Sequence, residues 1–197
     1  MQLLYTKRSP YARKARIMAI EKNIPLECIE EDLVNKSSRL KESNPLGRIP
    51  TLILDDGELI CDSPLICEYL ENLKDKPAFI PKDEKARRHI LNLAAIADGL
   101  MEDVVGIYLE KTRHPQDFHQ GFVHNKEDAC RRSFTFFENH VADLKNFNIA
   151  SIGVVSAVGY MHFRLPNMYE TKKYPALTRW FDECQTRPSV AQTVPVL

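Results

Sequence analysis

The sequence predicts two domains of different class. An α/β domain with a mixed sheet, ordered β-α-β-α-β-β-α, is followed by an all-α helical bundle. Three observations carry this. Short apolar runs with strand character occur only in the first third of the chain. A polar, proline-punctuated stretch, Lys74-Asp-Lys-Pro77 to Pro81-Lys-Asp83, then breaks the pattern. Beyond it, apolar residues recur only at helical spacing. The expected boundaries are 1–74 for the α/β domain, 75–83 for a linker and 84–197 for the helical domain.

The elements follow in order. Leu3-Leu-Tyr5 is a short strand. Ser9-Pro10 opens a helix, with serine at the N-cap and proline at the first helical position. Ala12, Ala15 and Ala19 give that helix a small-residue face suited to a sheet, and Asn23-Ile-Pro25 ends it. Leu26 to Glu30 is a second strand with Leu26 and Cys28 on one face. Two strands joined by a helix are expected to be parallel. Lys36 to Glu42, with Leu40 as its apolar anchor, reads as a weak helix or a loop. Thr51 to Leu54 and Glu58 to Cys61, joined through Asp55-Asp56-Gly57, read as a hairpin. The next helix is expected to bury Leu65, Ile66, Tyr69, Leu70 and Leu73.

In the second domain, Ile90 to Tyr108 form a long helix broken by His114-Pro115. Cys130, Phe134, Phe137, Val141 and Leu144 mark another. Ile149 to Phe163 is apolar nearly all round, as a central bundle helix must be. Leu177, Trp180, Phe181 and Cys184 mark a further helix, stopped by Arg187-Pro188.

The totals exclude several classes of function. The chain has 197 residues, 44% of them apolar, so there is ample material for a core. A net charge of +0 gives no overall field toward nucleic acid or a membrane surface, and neither partner is expected. The N-terminus does not read as a signal peptide, and the most apolar stretch, Ile149 to Tyr160, is too short to span a bilayer. Five cysteines without a Cys-x-x-Cys motif point to a reducing, cytoplasmic compartment. His114, His119 and His124 are spaced by five, which does not place them on one helix face, so no metal site is expected.

Two stretches carry the chemistry. Asn44-Pro-Leu-Gly-Arg-Ile-Pro-Thr51 places Pro50 at the mouth of the third strand, where a cis Ile49–Pro50 bond would kink the chain. Asp62-Ser63-Pro64 then has the form of a helix N-terminus, which favours anions. Locally, these features read equally as a turn and a capped helix.

With Ser9-Pro-Tyr-Ala-Arg-Lys14 upstream and an all-α domain downstream, the ordered set resembles the glutathione S-transferase superfamily, on its serine-type, bacterial cytosolic side. The resemblance covers essentially the whole chain. It implies a thioredoxin-like first domain that binds glutathione as co-substrate, with no other cofactor. It implies a homodimer, and a detoxifying transferase that conjugates glutathione to a small apolar electrophile. Alternatives within the same fold are a non-catalytic protein of the stringent-starvation type, binding a macromolecule, and a glutathione-dependent reductase or isomerase. No cysteine occupies position 9, which disfavours reductase chemistry through a mixed disulfide.

The resemblance assigns roles residue by residue. Ile49, before Pro50, would pair its backbone with the cysteinyl unit of glutathione, like an added strand. Ser63 would donate its hydroxyl and N–H to the γ-glutamyl carboxylate, and Asp62 would accept from the ammonium. Arg48 would meet the glycyl carboxylate or stay solvated. Ser9 would donate to the thiolate, with Tyr5 and Thr6 as rivals; a plain N-cap is the alternative. Cys61 reads as a small buried hydrophobe. The electrophile would sit between the domains, with Tyr11, Met101, Val105 and Tyr108 as lining or as ordinary core. Asn148 replaces the serine or threonine that usually caps the family's sixth helix. Ser151 holds the usual aspartate position, so a weaker reciprocal bond is expected there.

Overall fold

The computed structural model describes residues 1–35, 37–113 and 115–196. It separates into two units. One comprises residues 1–79 together with the C-terminal residues from Ser189; the other is Ile80–Pro188.

In the first unit the order is β1 (Gln2–Tyr5), α1 (Pro10–Glu21), β2 (Glu27–Glu30), α2 (Ser38–Ser43), β3 (Thr51–Ile53), β4 (Leu59–Cys61) and α3 (Ser63–Leu73). This is the expected β-α-β-α-β-β-α order. The sheet runs β2-β1-β3-β4. β1 is parallel to β2, whereas β3 is antiparallel to both β1 and β4. Gly57, at φ +90°, turns the hairpin where Asp-Asp-Gly predicted it. α2 begins two residues after Lys36, which lies outside the described residues, and Ser37 Oγ caps it by accepting from Leu40 N–H at 3.0 Å.

β2 is an edge strand, and Cys28 is exposed on it. The expected face of α3 is corrected. α3 buries Ser63, Ile66, Cys67 and Leu70, while Leu65 and Leu73 are 52% and 42% exposed. Apolar residues lie on two adjoining stripes of this helix. The stripe with the smaller Ser63 and Cys67 is the one that packs closely.

The division of the chain also differs from the expected 84–197 helical domain. A last helix, α9 (Pro188–Ala191), begins at the proline expected to stop the preceding one. From Ser189 the tail packs on α1. Arg13 is buried there at 2% exposure. Its guanidinium donates to the Val190 carbonyl at 3.3 Å and to Thr193 Oγ1 at 3.4 Å. Burial lowers the Arg13 pKa to about 10, with the neighbouring Arg16 adding to the effect. An arginine so placed requires acceptors, and the tail backbone supplies them.

The second unit contains α4 (Glu84–Arg113), α5 (Gln120–Asn139), α6 (Val141–Leu144), α7 (Ile149–Arg164) and α8 (Pro175–Cys184). α7 is buried from Ile149 through Met161, as its uniform apolarity predicted. Gly153 lets it approach α4 closely; a Cβ there would stand 2.9 Å from that of Ala97. The expected helix from Cys130 to Leu144 is divided in two at His140. The α7 cap is complete. Asn148 Oδ1 accepts from Ala150 and Ser151 N–H at 3.0 and 3.1 Å, and Ser151 Oγ accepts from Asn148 N–H at 3.0 Å. Ser151 also donates to the Leu144 carbonyl at 2.9 Å, so the hydroxyl makes two tethers. The Glu138 carboxylate caps α8 from α5, accepting from Ala176 and Leu177 N–H at 3.0 and 2.7 Å. His119 caps α5 through Nδ1, and His124 lies 3.3 Å from Asp128; His114 is outside the described residues. Among the described residues, no helix is long and apolar enough to cross a membrane.

Candidate functional site

The strand register gathers the predicted positions of the first unit. Thr51, which opens β3, pairs with Leu4 of β1 on one side and Cys61 of β4 on the other. Pro50 therefore stands at the end of the sheet where β1 exits toward Ser9 and β4 exits into Asp62 and Ser63. Three segments far apart in sequence reach one edge because one residue pairs on both sides.

Each segment arrives with polar groups to spare. Ser9 is the N-cap of α1, and its Oγ accepts from Ala12 N–H at 3.1 Å. A hydroxyl has two lone pairs and one proton. Capping uses an acceptor site and leaves the O–H able to donate, so the two roles foreseen for Ser9 are compatible. Ser9 is 8% exposed, and Thr6 beside it is 3% exposed. Thr6 Oγ1 is buried without a hydrogen-bond partner among the described residues. Tyr5 is also buried, with the Arg16 guanidinium 5.0 Å above its ring.

The Ile49–Pro50 bond is cis. Ile49 is half-buried, and among the described residues neither its N–H nor its C=O has a hydrogen-bond partner. The loop before it is held by Asn44, 4% exposed. The Asn44 side-chain amide donates to the Arg48 carbonyl at 3.0 Å and to Thr51 Oγ1 at 3.1 Å, and its Oδ1 accepts from Leu46 N–H at 2.9 Å. Gly47, at φ +55°, supplies the left-handed step. Arg48 itself is exposed. The organising role of Asn44 was not foreseen, although an asparagine before a proline is a turn signal with this geometry.

At α3, Asp62 Oδ1 accepts from Ser63 N–H at 2.6 Å. This changes the expected division of labour, because the N–H assigned to a ligand carboxylate is already engaged by Asp62. Ser63 Oγ has no partner among the described residues. A second carboxylate oxygen of the exposed Asp62 remains able to accept. Cys61 is half-buried, its Sγ 3.8 Å from the Ser43 carbonyl.

A cleft of about 370 Å³ adjoins Thr6, lined also by Lys7, Arg8, Glu30, Glu31, Asp32 and Val196. Three of its charged groups have partners, and Glu31 accepts from Ser37 Oγ at 2.7 Å. Glu30 lies 3.0 Å from Lys7 and raises its pKa, first by hydrogen bonding and then by charge. N–H groups of Val34 and Asn35 hold the Asp32 carboxyl below its usual range. The cleft includes none of Ser9, Ile49, Pro50 and Ser63.

The other predicted positions do not join this group as neighbours in one element. Tyr11 is half-buried on α1. Met101 is fully buried on α4 in the second unit, while Val105 and Tyr108 are half-buried on the same helix. Among the described residues, no cluster of His, Cys, Asp and Glu could hold a metal ion.

Comparison with known proteins places these features. Residues 8–73 match the model of the glutathione S-transferase N-terminal domain. Across 99% of its length the chain is 31% identical to the uncharacterized GST-like protein YibF of Escherichia coli K12, covering 98% of that protein. It is similar, at 33% identity and a TM-score of 0.93, to a crystal structure of a glutathione transferase family member from Pseudomonas fluorescens Pf-5 with bound glutathione. That match covers 100% of this chain and 99% of the other. A second structure from that organism, with bound S-(propanoic acid)-glutathione, matches at 33% identity with a TM-score of 0.91 over 100% of both chains.

Proposed function

We propose that this chain, which belongs to the glutathione S-transferase family, ionises glutathione beside Ser9 and joins it to a small apolar electrophile. The observation that carries the reading is the double pairing of Thr51, which sets Ser9, Ile49 and Ser63 around one edge of the sheet. Glutathione bound to a relative at 33% identity supports the ligand.

The roles follow from the groups left unpaired. The Ile49 N–H and C=O take the cysteinyl backbone, with Pro50 fixing the turn. Ser63 Oγ donates to the γ-glutamyl carboxylate at the N-terminus of α3, and Asp62 accepts from the ammonium. Arg48 meets the glycyl carboxylate. Ser9 donates to the sulfur. A free thiol has a pKa of about 8.5, so little thiolate exists at neutral pH. Lowering that value by about two units requires roughly 2.7 kcal/mol. One charge-assisted hydrogen bond contributes about 1.5–3 kcal/mol, and a helix N-terminus about 0.3–1 kcal/mol. Ser9 and α1 together thus suffice.

The thiolate then attacks the electrophilic carbon. In a substitution the S–C bond forms as the leaving group departs with its electron pair; in an addition to a double bond the proton returns to the adjacent carbon. Val105 and Tyr108, half-buried on α4, line the electrophile's site, whereas the fully buried Met101 is core. A bound S-(propanoic acid)-glutathione in the relative is a molecule of the kind such a reaction makes. The protein works in the cytoplasm as a homodimer; Leu46, Leu59 and Leu65, 65%, 43% and 52% exposed on the first unit, suit a covered surface.

The test is retention on immobilised glutathione with turnover of a generic aryl halide. Retention and turnover are expected. Absence of retention at millimolar ligand would sink the reading, and retention without turnover would reduce it to glutathione binding.

A further inference from the structure

The cleft beside Thr6 has no part in the transferase reading, and one of its charges lacks a counter-charge. It opens at the carboxyl ends of β1 and β2, between residues 6–8 and 30–32. β1 carries β2 on one side and β3 on the other, so the strand order reverses there. Such a reversal is where open α/β sheets bind ligands. Glu31 extends the ladder beyond β2, its N–H donating to the Tyr5 carbonyl at 2.8 Å. It is 7% exposed. Its carboxylate accepts from Ser37 Oγ at 2.7 Å, and among the described residues no cation pairs with it. Thr6 lines the same cleft, and its buried Oγ1 has no hydrogen-bond partner among the described residues.

Two nearly buried polar side chains thus line one opening with bonding capacity unused. Burying a carboxylate is costly unless a cation and hydrogen bonds offset the lost hydration. A buried pair in the same unit shows the usual solution, with Lys22 2.7 Å from Glu71. Three carboxylates and two cations line the cleft, so its field is negative. Glu30 is taken by Lys7, and Asp32 by the N–H groups of Val34 and Asn35 and by the Arg8 charge. The uncompensated anion is Glu31. No cluster among the described residues could hold a metal ion, so the matching cation is organic. An ammonium is a compact charge with three N–H donors, enough for a carboxylate oxygen and a hydroxyl together. A volume of about 370 Å³ is near the low end of small-molecule sites, which run from about 300 to 1,000 Å³. Val196 offers an aliphatic stem the only apolar side chain lining the cleft among the described residues.

We propose that this cleft binds a small primary amine, whose ammonium donates to the Glu31 carboxylate and to Thr6 Oγ1 while its alkyl stem lies against Val196. A simple alkylamine is protonated at neutral pH, like the lysine side chain with its pKa of about 10.4. The site lies wholly within the first unit. It adjoins the turn that presents Ser9, because Ser9 N–H donates to the Thr6 carbonyl at 3.2 Å. The proposal goes beyond the transferase reading and does not depend on it.

The probe is n-butylammonium, with 1-butanol as its neutral isostere, at fixed ionic strength. Calorimetry and amide chemical shifts follow binding to the full chain. The wild type should bind butylammonium saturably and at least about tenfold more tightly than butanol, the worth of one hydrogen-bonded charge. The shifts should centre on residues 6–8 and 30–32. Glu31→Gln should weaken binding by about tenfold. Thr6→Val, which loses one neutral hydrogen bond, should weaken it by about fivefold, and it carries the test if the glutamine variant unfolds. Glu42→Gln removes an exposed carboxylate of α2 that does not line the cleft, and should change nothing. The proposal is overturned by absence of saturable binding in the wild type, by equal affinity for butanol, or by shifts centred elsewhere. Affinity retained in either cleft variant, or an equal loss in Glu42→Gln, overturns it too, and Glu31 is then a tether for Ser37 alone.

Discussion

Asn44 and Thr51 lie seven residues apart, and their side chains meet at 3.1 Å with the Arg48 carbonyl as a shared third partner. This small network sets the path of the chain into Pro50. Asn44→Ala should lower stability by about 2 kcal/mol, the cost of stranding buried polar groups. It should also weaken glutathione binding. Asn44→Asp should not rescue either property, because a carboxylate oxygen would face the Arg48 carbonyl. Denaturant unfolding and calorimetry check both effects.

Lys22 is a second buried anchor, with its side chain 0% exposed. The ammonium forms an ion pair with the Glu71 carboxylate at 2.7 Å and donates to the Glu71 carbonyl at 2.9 Å and the Lys74 carbonyl at 2.6 Å. The same carboxylate accepts from Phe79 N–H at 2.9 Å. Lys22→Met strands Glu71 and should cost about 3–5 kcal/mol in urea unfolding. Adding Glu71→Met should recover only part of that, since Phe79 N–H then loses its acceptor.

Gly153→Ala should destabilise the helical unit. Helix propensity favours alanine by about 1 kcal/mol. The contact with Ala97, 2.9 Å in prospect, calls for a backbone shift costing about 1–3 kcal/mol. The net is a loss of about 1 kcal/mol, given a clash near the middle of that range. Ala97→Gly in the same background should relieve the clash but not its own propensity cost. A double-mutant cycle by thermal unfolding would therefore read a favourable coupling.

Stability should fall on both sides of neutral pH. His162 packs edge-on against Tyr169 and Phe181 at 4.9 and 5.1 Å, and burial lowers its pKa. The unfolded chain then binds more protons below about pH 6.5, so stability falls as pH drops through that value. Burial pushes the Cys130 and Cys184 thiols up to about 12. The folded state keeps those protons while the unfolded state releases them, so stability declines as pH rises above about 9 toward 12. Arg13, lowered to about 10, opposes this from pH 10 upward, while burial raises Tyr169 to about 12 and adds to the loss over the same range, so the fall should continue from pH 9 toward 12. Melting temperatures across the range check the shape, and Cys184→Ala should flatten its alkaline side.

Much of this fold is visible in the order of local signals. Asp55-Asp56-Gly57 between two apolar runs specifies the hairpin, and Ser9-Pro10 specifies the start of α1. The buried face of α3 was harder to read, because Leu65 and Leu73 make a second stripe as apolar as the true one. Which stripe packs is decided by close approach to neighbours. The tail from Ser189 was misassigned because its partner, Arg13, looks like a surface residue in sequence and becomes buried only by tertiary contact. At the site, Ser9, Ile49 and Ser63 are marked by caps and a proline, whereas Asn44 acts through a network spanning seven residues.

The claim that Ser9 activates the thiol is tested most directly by titrating glutathione bound to the wild type and to Ser9→Ala, following thiolate absorbance. The account predicts that the bound thiol ionises about two units below the free value of about 8.5 in the wild type. In Ser9→Ala it should ionise markedly higher while glutathione still binds, with about 1 kcal/mol of stability lost with the cap. An unchanged pKa in the variant would make Ser9 a helix cap and nothing more, and would contradict the account.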